Sequence, residues 1–160
     1  MPAPYTASQI AKWLLSAIDR DSGDSITPLK LQKLIYYAQA WSLALPERAY
    51  PLFDEDMQAW AHGPVVESVF HEYKHAGWDA LPAPDEVPEI AEKDAAHLSE
   101  ILSVFGEFSA KHLERMTHHE DPWLEARGDI LPEARSNAVI SKERMMDYYR
   151  GLYEKAADDE

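Results

Sequence analysis

The sequence predicts a mainly α fold: a compact bundle of about six helices with a small two- or three-stranded β-sheet (α+β). Three observations carry this expectation. Apolar residues recur at helical spacing through most of the chain, as in Ile10, Trp13, Leu14, Ala17 and Ile18. Hydroxyl side chains and prolines stand where helices would begin, and single glycines where they would end. Only short segments within residues 50–61 and 138–140 have strand character. At 160 residues, 46% of them hydrophobic, the chain is long enough for one real core, and residues 1–160 read as a single domain.

Thr6-Ala7-Ser8-Gln9 reads as a capping box for the first helix, which should stop near Asp19 before the turn residues Asp21 to Ser25. Thr27 is the next N-cap, and Pro28 suits the first helical position because its missing N–H would go unpaired there anyway. Leu31, Leu34, Ile35, Ala38, Trp41 and Leu45 form the apolar stripe of this second helix, and Pro46 closes it. Lys30, Gln32 and Lys33 fall on its polar side, with Tyr36 and Tyr37 at the boundary. Tyr50 to Phe53 and Met57 to Ala61 are short enough to pair as a hairpin. Pro64 is expected to open a third helix that ends at Gly77 in a left-handed cap. A proline-rich connection over residues 79–90 leads to a fourth helix, Ala95 to Phe108. Ser109 caps a fifth, and Asp121-Pro122 repeats the Thr27-Pro28 pattern for a short turn. Gly128 to Asn137 is loop, Ala138 to Ile140 a third strand, and Ser141 opens the last helix, with Asp158 to Glu160 frayed.

Twenty-nine acids against 15 Lys and Arg give a net charge of −14. That weighs against nucleic acid and against an anionic membrane surface, both of which need a basic face. No cysteine is present, which excludes disulfides, thiolate metal sites and thiol nucleophiles. No apolar run approaches the ~20 residues of a membrane span, and the first residues lack the pattern of a signal peptide, so a cytoplasmic location is expected. The charge is uneven: residues 1–50 hold four acids and five cations, so the rest carries −15. A body so acidic would attract a basic partner, with Lys30 and Lys33 as a local exception that fixes its orientation.

His71-Glu72-Tyr73-Lys74-His75 satisfies H-E-x-x-H, the spacing with which a zinc-dependent hydrolase places two histidine ligands and a general base. This is the alternative function. Against it stand the lack of a third ligand at the expected spacing and the cation Lys74 inside the motif. Polar residues on a surface helix account for the motif more simply. His118-His119-Glu120-Asp121 reads as a helix end followed by an N-cap. No Gly-x-Ser-x-Gly elbow or phosphate-binding glycine loop occurs. Trp60, Trp78 and Trp123 lie at or beside loops, together with Tyr36, Tyr37 and Tyr50, and aromatics so placed are common interface anchors.

The run from Ile26 to Trp41, the stretch Ala59-Trp60-Ala61-His62-Gly63-Pro64-Val65-Val66, and the group Leu113, Thr117-His118, Glu120, Pro122-Trp123 and Arg127 resemble the signatures of the Panacea (GepA-like) domain family. Order and spacing hold over roughly residues 6–153. The resemblance implies a bacterial or phage antitoxin that neutralises a cognate toxin encoded beside it, with no catalytic residues and no cofactor. In size the chain resembles the SocA-type members, which implies a proteolytic adaptor that delivers the toxin to the ClpXP protease. The matched residues expected at the partner are Lys30, Gln32, Lys33, Tyr37, Trp60, His62, Gly63, Pro64, His118, Trp123 and Arg127. The other reading of the same residues is architectural.

Overall fold

The computed structural model describes residues 2–159. Helix α1 (Ala7–Ala17) begins in the expected capping box: Gln9 N–H donates to Thr6 Oγ1 at 3.2 Å, and Thr6 N–H to Gln9 Oε1 at 2.9 Å. Helix α2 (Pro28–Ala44) starts on Thr27, which accepts from Lys30 N–H, with Pro28 in the first turn. Strands β1 (Met57–Trp60) and β2 (Gly63–Val65) form a hairpin, and β3 (Val139–Ile140) pairs with the other edge of β1. The sheet is antiparallel with order β2-β1-β3. Helices α3 (Glu67–Tyr73), α4 (Glu92–Phe105), α5 (Ala110–His118), α6 (Asp121–Arg127) and α7 (Lys142–Asp158) complete the fold. Ser109 and Ser141 cap α5 and α7 as the sequence predicts.

Helix α2 is the centre. Every residue from Leu31 to Ala40 is buried, and the helix packs against α1, α3, α4, α5, α7 and β2. Gln32, Lys33 and Gln39 lie within that stretch, so their polar atoms need partners. Gln32 and Gln39 are seven residues apart and share one face of the helix. Each clamps a peptide segment at both backbone groups. Gln39 accepts from Leu52 N–H at 2.7 Å and donates to Phe53 C=O at 2.8 Å. Gln32 accepts from Val66 N–H at 2.9 Å and donates to Val66 C=O at 3.2 Å. Lys33 Nζ donates to Pro64 C=O at 3.1 Å. The outer edge of β2 is thus closed by side chains of a helix instead of by another strand.

Several expectations need correction. The strand partner of β1 is Gly63–Val65, not Tyr50 to Phe53; Phe53 makes a single parallel bridge with Tyr5. Pro64 lies in β2, and α3 begins later, at Glu67, after an N-cap without a side-chain bond. A proline has no N–H to leave unpaired on a sheet edge, so it serves a strand here as well as it would a helix start. The fourth helix starts at Glu92 and ends at Phe105. Gln32, Lys33, Tyr36 and Tyr37 are not on a polar side or its boundary; all four are buried. The N-cap of α6 is Glu120, not Asp121. Its carboxylate makes no cap bond and instead accepts from Tyr37 Oη at 2.6 Å. Tyr149 Oη lies 2.9 Å from both Glu120 Oε1 and Tyr36 Oη. A hydroxyl has one proton, so Tyr149 links the other two groups. Of the predicted frayed end, Asp158 closes α7 and Glu160 lies outside the described residues.

The Gln39 clamp yields a stability prediction. Gln39→Leu leaves the buried Leu52 N–H and Phe53 C=O unpaired, at about 1–3 kcal/mol each. The variant is expected to unfold about 2–5 kcal/mol more easily, read from its urea midpoint at unchanged slope.

Candidate functional site

The tip of the β1–β2 hairpin sits on α2 and α5. Gly63 has φ +110, and a Cβ there would stand 2.6 Å from Lys33 Cε and 3.0 Å from Thr117 Oγ1. Only glycine allows both that backbone and that approach. Beneath it Lys33 is wholly buried, and loss of solvent pushes its ammonium down to about 7, against the attraction of Glu114. Glu114 lies 2.7 Å from His62 Nδ1 and 3.6 Å from Lys111 Nζ.

Helix α6 holds the hairpin from behind. Trp123 Nε1 donates to Trp60 C=O at 2.8 Å, and Arg127 donates to Ala59 C=O at 2.8 Å. His118 stacks on Trp123 with centroids 4.1 Å apart, and burial lowers its imidazole pKa. Arg127 lies over the Trp123 ring, 4.8 Å from its centroid, and also donates to the carbonyls of Leu131, Pro132 and Ala134. One guanidinium therefore ties β1 to the loop after α6.

In front of this framework is a groove of about 1070 Å³ between the start of α2, the hairpin, α3 and residues 133–137. Its aromatic lining is Trp60, Phe70, Tyr73 and Trp78. Trp60 and Phe70 meet edge to face at 4.8 Å. Trp78 is 76% exposed and Phe70 37%. Lys74 and Arg135 also line it.

Of the residues expected at a partner, Gln32, Trp60 and His62 line the groove. Lys33, Tyr37, Gly63, Pro64, Trp123 and Arg127 are buried in the framework, and His118 is half-buried against Trp123. Lys30 lies elsewhere, with Nζ donating to Gly106 C=O at 2.6 Å. Phe70, Tyr73, Lys74 and Arg135 escaped the sequence reading. Phe70 and Tyr73 have helical spacing, which reads as core, and an isolated Arg135 in a loop gives no signal. Trp78 was legible as a loop-borne aromatic.

The residues of the H-E-x-x-H motif do not lie on one continuous α-helix. Helix α3 ends at Tyr73, and the chain tightens into a 3-10 turn at Lys74–Ala76, so His75 leaves the helical register of His71. His71 pairs with Glu67 at 3.5 Å, while Glu72 meets Lys12 at 3.6 Å and Ser8 at 2.8 Å. Among the described residues no group of three or more His, Asp or Glu is placed to hold a metal ion.

The groove offers binding chemistry: aromatic area, amide and imidazole groups, and the charged side chains of Lys74, Glu133 and Arg135. Residues 31–124 match the family described as antitoxin SocA-like, Panacea domain, and the chain belongs to that family. Its general role is thereby that of an antitoxin. The match runs from the core of α2 through the hairpin to the first turn of α6. No curated protein and no solved structure matches the chain. Among the described residues no helix is long and apolar enough to cross a membrane.

Buried Lys33 makes stability pH-dependent. Its folded pKa, about 7, lies below the ordinary lysine value of 10.5, so between those values the unfolded chain binds more protons. Stability is therefore expected to rise from pH 7 to pH 9, by at most about 1.4 kcal/mol per pH unit. In Lys33→Met that rise should vanish; urea titrations at pH 7, 8 and 9 make the comparison.

Proposed function

We propose that this protein neutralises a cognate toxin protein in the cytoplasm by binding it in the groove, acting by occupancy and not by catalysis. The supporting observation is the open aromatic pair Trp78 and Phe70 beside half-buried Trp60 in a concave surface of a member of an antitoxin family. Large rings left in solvent are costly unless a partner covers them, and truncating such anchors typically loses 2 kcal/mol or more. The proposed contact residues are Trp60, His62, Phe70 and Trp78. Gln32, Lys33, Tyr37, Gly63, Pro64, His118, Trp123 and Arg127 act through the framework that shapes the groove.

A second reading adds delivery to the ClpXP protease. An adaptor needs a second surface that stays free while the toxin is held. Residues 151–159 of α7 and its cap are all exposed, and none of them lines the groove.

Trp78→Ala combined with Phe70→Ala should lower the melting temperature only modestly, because Trp78 is 76% exposed while Phe70, 37% exposed, gives up its packing on Trp60. The same variant should weaken co-purification with the toxin encoded beside this gene by about 30-fold and abolish rescue of growth. Full rescue by the folded variant sinks the groove as the binding site. For delivery, toxin half-life is compared in cells with and without ClpXP. A short half-life that requires the protease, and that is lost on truncation after Arg150 while toxin binding persists, supports it. Rescue and half-life unchanged without the protease leave binding alone as the mechanism.

A further inference from the structure

We infer that the groove receives an amphipathic α-helix of the toxin whose apolar stripe is flanked by carboxylates, an inference that rests on the groove being the toxin-binding site. Its size is the first observation. At about 1070 Å³ it lies at the upper end of the ~300–1,000 Å³ range of ligand sites and has room for several side chains at once.

The second observation closes the β2 edge to the other common way of holding a peptide. A strand that adds to a sheet edge needs free backbone groups there. Along β2, the Pro64 carbonyl already accepts from Lys33, and both backbone groups of Val66 belong to Gln32. Pro64 itself has no N–H to offer. An occupant lying beside β2 must satisfy its own backbone, and a helix does so.

Charge is the third. In a chain of net −14 the charged residues lining the groove are Lys74, Glu133 and Arg135. Most cations of the protein are engaged: Lys12, Arg48, Lys142 and Arg144 in ion pairs, and Arg20, Lys30, Lys33, Arg127 and Arg150 on backbone carbonyls. Among the described residues Lys74, Arg115, Arg135 and Lys155 make no ion pair, side-chain hydrogen bond or ring contact, and two of these four stand at the groove. Both are well placed. Lys74 opens the 3-10 turn after α3, and Arg135 follows Ala134, whose carbonyl Arg127 holds at 2.6 Å. Two unpaired cations bordering an aromatic trough complement an apolar helix with acidic flanks, and a basic helix would meet repulsion there.

The test measures binding of the full-length protein to the toxin encoded beside it, at physiological salt. Lys74→Glu with Arg135→Glu should weaken binding at least 10-fold at unchanged melting temperature. A toxin with Asp or Glu on one helix replaced by Lys should recover most of that loss. Unchanged or tighter binding by the double reversal overturns the inference, as does a complex in which a toxin strand pairs along β2. Trp78→Ala separates the two levels. If it binds like the parent protein, the groove itself is not the site. If it weakens binding while the charge reversal does not, the toxin docks in the groove and only the acidic-helix inference falls.

Discussion

Helix α2 is buried from Leu31 to Ala40 and still carries Gln32, Lys33 and Gln39 within that stretch. A buried hydrogen bond adds only about 0.5–1.5 kcal/mol net, but an abandoned partner costs about 1–3 kcal/mol. That asymmetry makes each of these side chains a positional constraint. Gln39 can be satisfied only if Leu52 and Phe53 lie alongside it, and Gln32 only if Val66 does. The two glutamines therefore fix where the chain enters the hairpin region and where it leaves. Apolar packing alone would tolerate sliding of these segments, because it is not directional.

The framework of the groove inherits this constraint. Lys33 fills the space beneath Gly63, and α6 holds the other side of the hairpin through Trp123 and Arg127. Backbone groups of the hairpin on both sides are thus committed internally. What remains for a partner is side-chain surface: the rings of Trp60, Phe70, Tyr73 and Trp78 and the cations at the edge. A rigid framework lowers the ordering cost of binding, since little of the surface has to be fixed when the partner arrives.

Local signals were the legible part of the fold. Thr6 with Gln9, Thr27 with Pro28, Ser109 and Ser141 each act within one turn, and each stands where the sequence places it. The misread positions are those decided by distant partners. Lys33 has the spacing and chemistry of a solvent-facing residue, and the carbonyl of Pro64, the attraction of Glu114 and the missing Cβ of Gly63 make its burial tolerable. Pro64 satisfies the requirements of a helix start and of a capped strand edge alike, and the choice falls to Gln32 and Lys33. Glu120 gives up the helix cap because two tyrosines from α2 and α7 reach it. At the candidate site, Trp60 and His62 were legible because they border the Gly63-Pro64 pair that opens β2. Arg135 depends on a loop that Arg127 folds through carbonyls, and carbonyls carry no sequence signature.

The same relocation changes what the acidity of the chain implies. Lys30 and Lys33 were the sequence's local exception to the negative charge, yet one is bonded to Gly106 and the other is buried. In the proposed complex that role passes to Lys74 and Arg135, which line the groove. At physiological ionic strength the screening length is about 8 Å, so the net charge of −14 governs approach while contact is governed by the groove's own cations. These two ranges make separate demands. A partner that is basic overall is drawn in faster, and one that also brings a carboxylate-flanked helix is held longer. A partner with only the first property meets Lys74 and Arg135 with like charge on contact and leaves. In the proposed complex an acidic body with Lys74 and Arg135 in its groove would thereby discriminate among basic proteins, which a uniformly acidic surface would not do.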